Sequence, residues 1–220
     1  YLFRTSEKFC VRNFRLDRNV PMSETYLAKL DETMRALSEK LGVSAEVVVV
    51  AGHELLWHSK TDHPDPEVMI RANVGFRRSL YELDVLSKLY LSRLDWDEVE
   101  ARFYTDGFFE TQYTPGQATS WLQVATVRQA LEDMRNDAFA ADQVGNHVGI
   151  RRFATVIEDP EGTFLHLLAL AEPAERANGD ENTYRAALLE ARDELAELVS
   201  AESAANRLRP KHQSMPLRGG

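Results

Sequence analysis

Four side chains of metal-ligand or proton-transfer type fall close together in the first third of the chain: His53, Glu54, His58 and His63. A helix that holds zinc through two histidines needs them at i and i+4, with a glutamate beside the first to act as base. Here the spacing is His53-Glu54-x-x-x-His58. On a helix the fifth step carries the second imidazole about 100° further round than the fourth. Glu54 and His58 do share a helical face at i, i+4, and His63 could approach from the following loop. If the preceding residues form a strand instead, Gly52-His53-Glu54 sits at its C-terminal end, where open α/β sheets carry their sites. One functional expectation is therefore an enzyme with an acid–base centre of Glu54, His53 and His58, or a metal held by His53, His58 and His63. The plainer alternative is a half-buried histidine pair beside Trp57.

Other candidates are less developed. Cys10 is the single cysteine, so no intramolecular disulfide forms, and on a strand it packs as a small hydrophobe unless something stabilises its thiolate. Arg77-Arg78 and Arg151-Arg152 are plausible phosphate or carboxylate clamps, or charged pairs on solvent faces. The acidic run Asp95, Asp97, Glu98, Glu100 and the set Asp133, Asp137, Asp142 lack a calcium-loop glycine pattern and suit capped or solvated helix faces. The ending Leu217-Arg218-Gly219-Gly220 is similar to a ubiquitin-like diglycine tail but follows a helix and a proline-containing linker. No phosphate-binding glycine loop, G-x-G-x-x-G, G-x-S-x-G elbow or paired C-x-x-C is present, and no cofactor is expected.

The elements that must position these groups are unevenly legible. Phe9–Leu16 alternates enough to read as a strand. Ser23 is a good N-cap, Leu27, Leu30, Met34, Leu37 and Leu41 form one helical stripe, and Gly42 supplies the αL terminator. Two readings of Val47–Val50 compete. Four β-branched residues favour a buried strand, whereas Ser44 could cap a second helix running to about His58. Pro64 and Pro66 mark a break, after which residues 67–94 read as a long buried helix, with Asp95 able to cap a further turn. Val99–Tyr104 and Phe108–Tyr113 about a Thr105-Asp106-Gly107 turn suggest one hairpin. Arg152–Glu158 and Thr163–Ala169 about Asp159-Pro160-Glu161-Gly162 suggest another. Ser120 to Phe139 reads as helical. Thr183–Leu208 forms an amphipathic helix with a narrow stripe, suited to packing on the body or on a second copy. The expected class is α+β, helix-dominated, with an N-terminal strand-helix-helix segment, a central long helix, two β-hairpins and the C-terminal amphipathic helix. Its expected divisions are 1–60, an α+β body over 64–173, the helix over 180–209 and a disordered tail over 210–220.

Lys8 to about His58, with Ala45–Trp57 taken as the second helix, resembles a ribbon-helix-helix module over about a quarter of the chain. That resemblance implies that Phe9–Leu16 pairs with its two-fold mate and that Val11, Asn13 and Arg15 enter a DNA major groove. Asn and Arg side chains suit base edges. It also implies that Ser44, at the start of the second helix, holds a DNA phosphate. The charge distribution is consistent with a basic arm on an acidic body. The net charge is -9, while Arg4, Lys8, Arg12, Arg15 and Arg18 face only Glu7 and Asp17 in the first eighteen residues. The leading expectation is thus a non-enzymatic, cytoplasmic DNA-binding regulatory or accessory protein acting as a homodimer. A structural subunit of a larger complex, held by the C-terminal helix, is a third reading. No membrane partner is expected, because no apolar run approaches the ~20 residues a span requires.

Overall fold

A computed structural model describes residues 2–4, 9–11, 23–111, 119–142, 145–146, 149–176 and 179–208. At the N-terminus β1 (Leu2–Arg4) pairs antiparallel with β2 (Phe9–Val11) of the same chain. The remainder of the expected strand, residues 12–16, lies outside the described residues. Helix α1 (Glu24–Leu41) begins and ends where its sequence signals say. Ser23 Oγ accepts from the Tyr26 N–H at 2.9 Å, and Gly42 adopts φ 70° while donating to the Ser38 carbonyl.

The valine run is a strand. β3 (Ser44–Ala51) turns through Gly52 and His53 into β4 (Glu54–Lys60), so the second helix expected over Ala45–Trp57 does not exist. Val47, Val48 and Val49 are all buried. A strand covered on both faces shows a continuous apolar run rather than an alternation, which is why periodicity could not separate it from a buried helix. It lies inside a six-stranded antiparallel sheet of order β5-β4-β3-β10-β9-β8, with β5 (Arg77–Ser79), β8 (Phe139–Ala141), β9 (Ile150–Glu158) and β10 (Phe164–Pro173). The β9–β10 hairpin forms about the expected Asp159–Gly162 turn, where Asp159 Oδ1 accepts from the N–H groups of Glu161 and Thr163.

Three expected elements are replaced. The long helix over 67–94 is an extended segment, then β5, then the short α2 (Val85–Leu91). Gly75 and Phe76 instead hydrogen-bond the backbone of Trp57 at 2.8 and 2.9 Å. Covering that strand edge outweighs the apolar spacing that suggested a helix. The first hairpin is also different. Residues Trp96–Arg102 form helix α3, whose Glu98 side chain accepts from the Asp95 N–H, and Asp-x-x-Glu is a helix-start signal. β6 (Phe109–Thr111) pairs with β7 (Thr119–Trp121) rather than with residues 99–104. The helix expected over 120–139 contracts to α4 (Val124–Met134) between two strands.

The sheet carries a helical layer on each side. On one face α1 and α5 (Glu181–Leu208) bury Tyr26, Leu30, Met34, Tyr184, Leu188 and Leu195 against Val47, Phe153 and Leu168. On the other, α2, α3 and α4 bury Leu86, Leu89, Val99, Val127 and Leu131 against Val48, Leu55, Trp57, Val156 and Leu167. The mixed α+β class therefore holds, organised around the sheet. Among the described residues no helix is long and apolar enough to cross a membrane.

Candidate functional site

Alternation along the strands sets charged side chains on the face shared with α2–α4. Ser44, Glu46 and Val48 of β3 point there together. In β10, Ala171 lies between Ser44 and Arg152, and Ala169 between Glu46 and Ala154. On the other side Lys60 pairs with Glu46, Trp57 with Val48, and Arg78 of β5 with Leu55. The alanines keep the sheet surface low at its centre, so long polar side chains can meet over them.

They do meet. Arg152, 4% exposed, donates through Nε to Glu46 Oε2 at 2.8 Å and through Nη2 to Oε1 at 3.3 Å, and Glu46 is fully buried. Such a two-point contact fixes the guanidinium plane as well as neutralising it. Arg78 Nη2 donates to Asp84, and its Nε lies 3.8 Å from Glu82. Asp84 also caps α2, accepting from the N–H groups of Leu86 and Ser87 at 3.0 Å. Both guanidiniums lie over the Trp57 indole, Arg152 at 5.2 Å and Arg78 at 5.4 Å from its centroid, within cation–π range. Lys60 Nζ donates to the Ile70 carbonyl at 2.7 Å and to Asn73 Oδ1 at 3.3 Å.

Burial alone would lower the Arg152 pKa, but the Glu46 charge and hydrogen bond outweigh it, with Asp84 and Asp142 adding, and the net shift is upward. Burial lowers the Lys60 pKa, partly offset by Glu46 and Asp62. Among the described residues, three buried polar atoms in this region have no hydrogen-bond partner: Ser44 Oγ, Trp57 Nε1 and Arg78 Nε. Buried donors are almost always satisfied in native proteins, by protein, water or ligand. The region is therefore a buried cluster of charged and polar side chains around the Trp57 indole that keeps hydrogen-bonding capacity at Ser44 Oγ, Trp57 Nε1 and Arg78 Nε.

The residues singled out from sequence lie elsewhere or apart. His53 is exposed in the β3–β4 turn, its ring 4.8 Å from Phe103 and 6.0 Å from Tyr81. Glu54 forms a half-exposed ion pair with Arg77 at 2.6 Å. His58 is five residues from His53, roughly 16 Å along a strand. His63 accepts from the Asp65 N–H at 3.0 Å and lines a separate open cavity of about 500 Å3 beside α1, with Asp31, Arg35 and Asp62. Among the described residues no group of three or more His, Cys, Asp or Glu side chains is placed to hold a metal ion. Ser44, expected to hold a DNA phosphate, is fully buried within β3 and starts no helix. Val11 lies in β2, with its side chain outside the described set, and Asn13 and Arg15 are outside the described residues.

Of this cluster the sequence points to Arg78 and Arg152 as phosphate or carboxylate clamps or solvent-facing charges, and to Ser44 in another role; the structure pairs both arginines with the protein's own carboxylates. The signal for Glu46 is a lone acid in a valine tract, which a buried strand accommodates only with a cationic partner such as one of the arginines that open β9.

A family model described as "Bacterial transcriptional regulator IclR C-terminal" matches residues 23–201. No curated protein matches the chain. Among solved structures, the Thermotoga maritima IclR is similar at 17% identity and TM-score 0.64, covering 90% of this chain and 79% of that one. The C-terminal domain of the Escherichia coli transcriptional regulator KdgR is similar at 20% identity and TM-score 0.60, covering 79% and 98%. The inducer-binding domain of the Acinetobacter PobR transcription factor, solved with 3-hydroxybenzoic acid, is similar at 18% identity and TM-score 0.61, covering 76% and 95%. Identities of this size speak for the fold alone. The ribbon-helix-helix resemblance is overturned twice over, by the family match and by the hairpin that occupies residues 44–60.

Proposed function

The chain belongs to the family of IclR-type bacterial transcriptional regulator C-terminal domains, a regulatory and non-enzymatic lineage, and from that premise we propose that it is a small-molecule sensor. The ligand sits between the sheet and the α2–α4 layer, over Trp57. The observation that carries this reading is the set of buried, unpartnered polar atoms on Trp57, Arg78 and Ser44 beside the Glu46–Arg152 pair. Occupancy would alter how α2, capped by Asp84, sits on β5, and so pass a signal to whatever part of the regulator contacts DNA. The family setting supports a cytoplasmic regulator that works as a homodimer or larger symmetric assembly.

The test is a metabolite screen by thermal shift. A ligand at a hundred times its Kd stabilises the folded chain by about 2.7 kcal/mol. Hits at the proposed site lose that effect in Trp57→Phe and keep it in Asp31→Ala, which alters the cavity beside α1. Hits that ignore Trp57→Phe would move the sensor site elsewhere and refute the assignment.

A further inference from the structure

Charge accounting at the site says which chemistry it accepts, provided that the sensor reading above holds. Three cations converge on it and each is already engaged. Arg152 is bound at two points by Glu46, Arg78 contacts Asp84 and lies 3.8 Å from Glu82, and the Lys60 ammonium donates to two carbonyl oxygens. With Glu46, Glu82 and Asp84 against Lys60, Arg78 and Arg152, the formal charges balance. A carboxylate entering such a site would meet no uncompensated cation. It would either lie beside the Glu46 charge in a low-dielectric setting or evict Glu46 from a buried pair, and both are costly. Two buried donors of the site, Trp57 Nε1 and Arg78 Nε, have no hydrogen-bond acceptor among the described residues.

We propose that Glu46 is a specificity-determining residue, a built-in carboxylate that occupies Arg152 and so restricts the site to uncharged ligands bearing carbonyl, amide or hydroxyl oxygens. Repulsion of like charge is a common way to build selectivity against the wrong partner. Removing the acid charge without changing shape, as in Glu46→Gln, frees a buried guanidinium for an incoming anion.

The experiment uses matched acid and amide pairs: benzoate with benzamide, phenylacetate with phenylacetamide, and succinate with succinamide. Each is titrated against 15N-labelled protein, and the readout is the Trp57 indole N–H resonance, assigned by its loss in Trp57→Phe. The expected result is that amides move this resonance at concentrations at least tenfold lower than their acids, and that Glu46→Gln narrows or reverses the order. Acids that match or beat their amides on the wild type overturn the charge inference while leaving the sensor site in place. If none of the six compounds moves the resonance, the sensor site at Trp57 fails and the inference falls with it. Should Glu46→Gln not fold, the wild-type comparison decides alone.

Discussion

Replacing Arg152 by Met strands the fully buried Glu46 without its partner. Methionine keeps much of the side-chain volume, so the loss is electrostatic rather than a cavity. Removing one member of a buried, hydrogen-bonded ion pair costs on the order of 3–5 kcal/mol, most of it the penalty of an uncompensated buried charge. For a chain of this size 1 kcal/mol moves the melting temperature by about 2–4 °C, so a drop on the order of 10 °C is expected. Glu46→Leu strands Arg152 in the same way. The double variant Arg152→Met/Glu46→Leu removes both charges and leaves an apolar pair over the alanines. It should recover most of the loss and come within about 1 kcal/mol of the wild type, because a buried pair contributes little net stability over well-packed apolar groups. The assay is urea denaturation of all four proteins, closed as a double-mutant cycle. Single variants costing under about 1 kcal/mol would mean that water reaches the pair. That outcome would refute the buried, charge-balanced site on which the selectivity argument depends.

Two further outcomes follow from other parts of the fold. His166 is fully buried with its Nε2 2.7 Å from the Tyr26 hydroxyl, and burial pushes its pKa down to about 4 from 6.5. Between those values the unfolded chain binds a proton that the folded chain refuses, so this contribution is complete above pH 6.5 and is lost as pH falls toward 4. The loss is roughly 2 kcal/mol at pH 5, and His166→Gln should flatten that part of the urea-stability profile; an unchanged slope would contradict the buried neutral imidazole. Gly42 ends α1 at φ 70° with nothing within 4 Å of where a Cβ would stand. Gly42→Val should therefore cost about 1–2 kcal/mol through backbone conformation alone, with Gly42→Asn costing less, and equal losses for the two would point to crowding.

Legibility varied with the range of the signal. The Ser23 cap, the leucine stripe of α1, the Gly42 terminator and the Asp159–Gly162 hairpin are written in residues close to one another, and all four stand in the structure. The long helix over 67–94 failed because apolar spacing there serves a different purpose. Ile70 and Ala72 cover the sheet, and Gly75 and Phe76 complete the β4 edge. The histidine cluster was misleading in the opposite way. Short sequence separation suggested one site, but a strand moves each residue onward by about 3.3 Å and turns alternate side chains to opposite faces.

By itself the sequence determined the mixed α+β class, helix α1, the C-terminal helix α5 and the β9–β10 hairpin, since these elements depend on caps, turns and periodicity within one short window. The strand identity of Val47–Val50 needed the fold, because only partners on both edges and cover on both faces distinguish a buried strand from a buried helix. The site needed it even more. Glu46 and Arg152 are 106 residues apart along the chain. Their contact exists because β10 inserts between β3 and β9 and presents alanines to both, a pairing that no local pattern encodes.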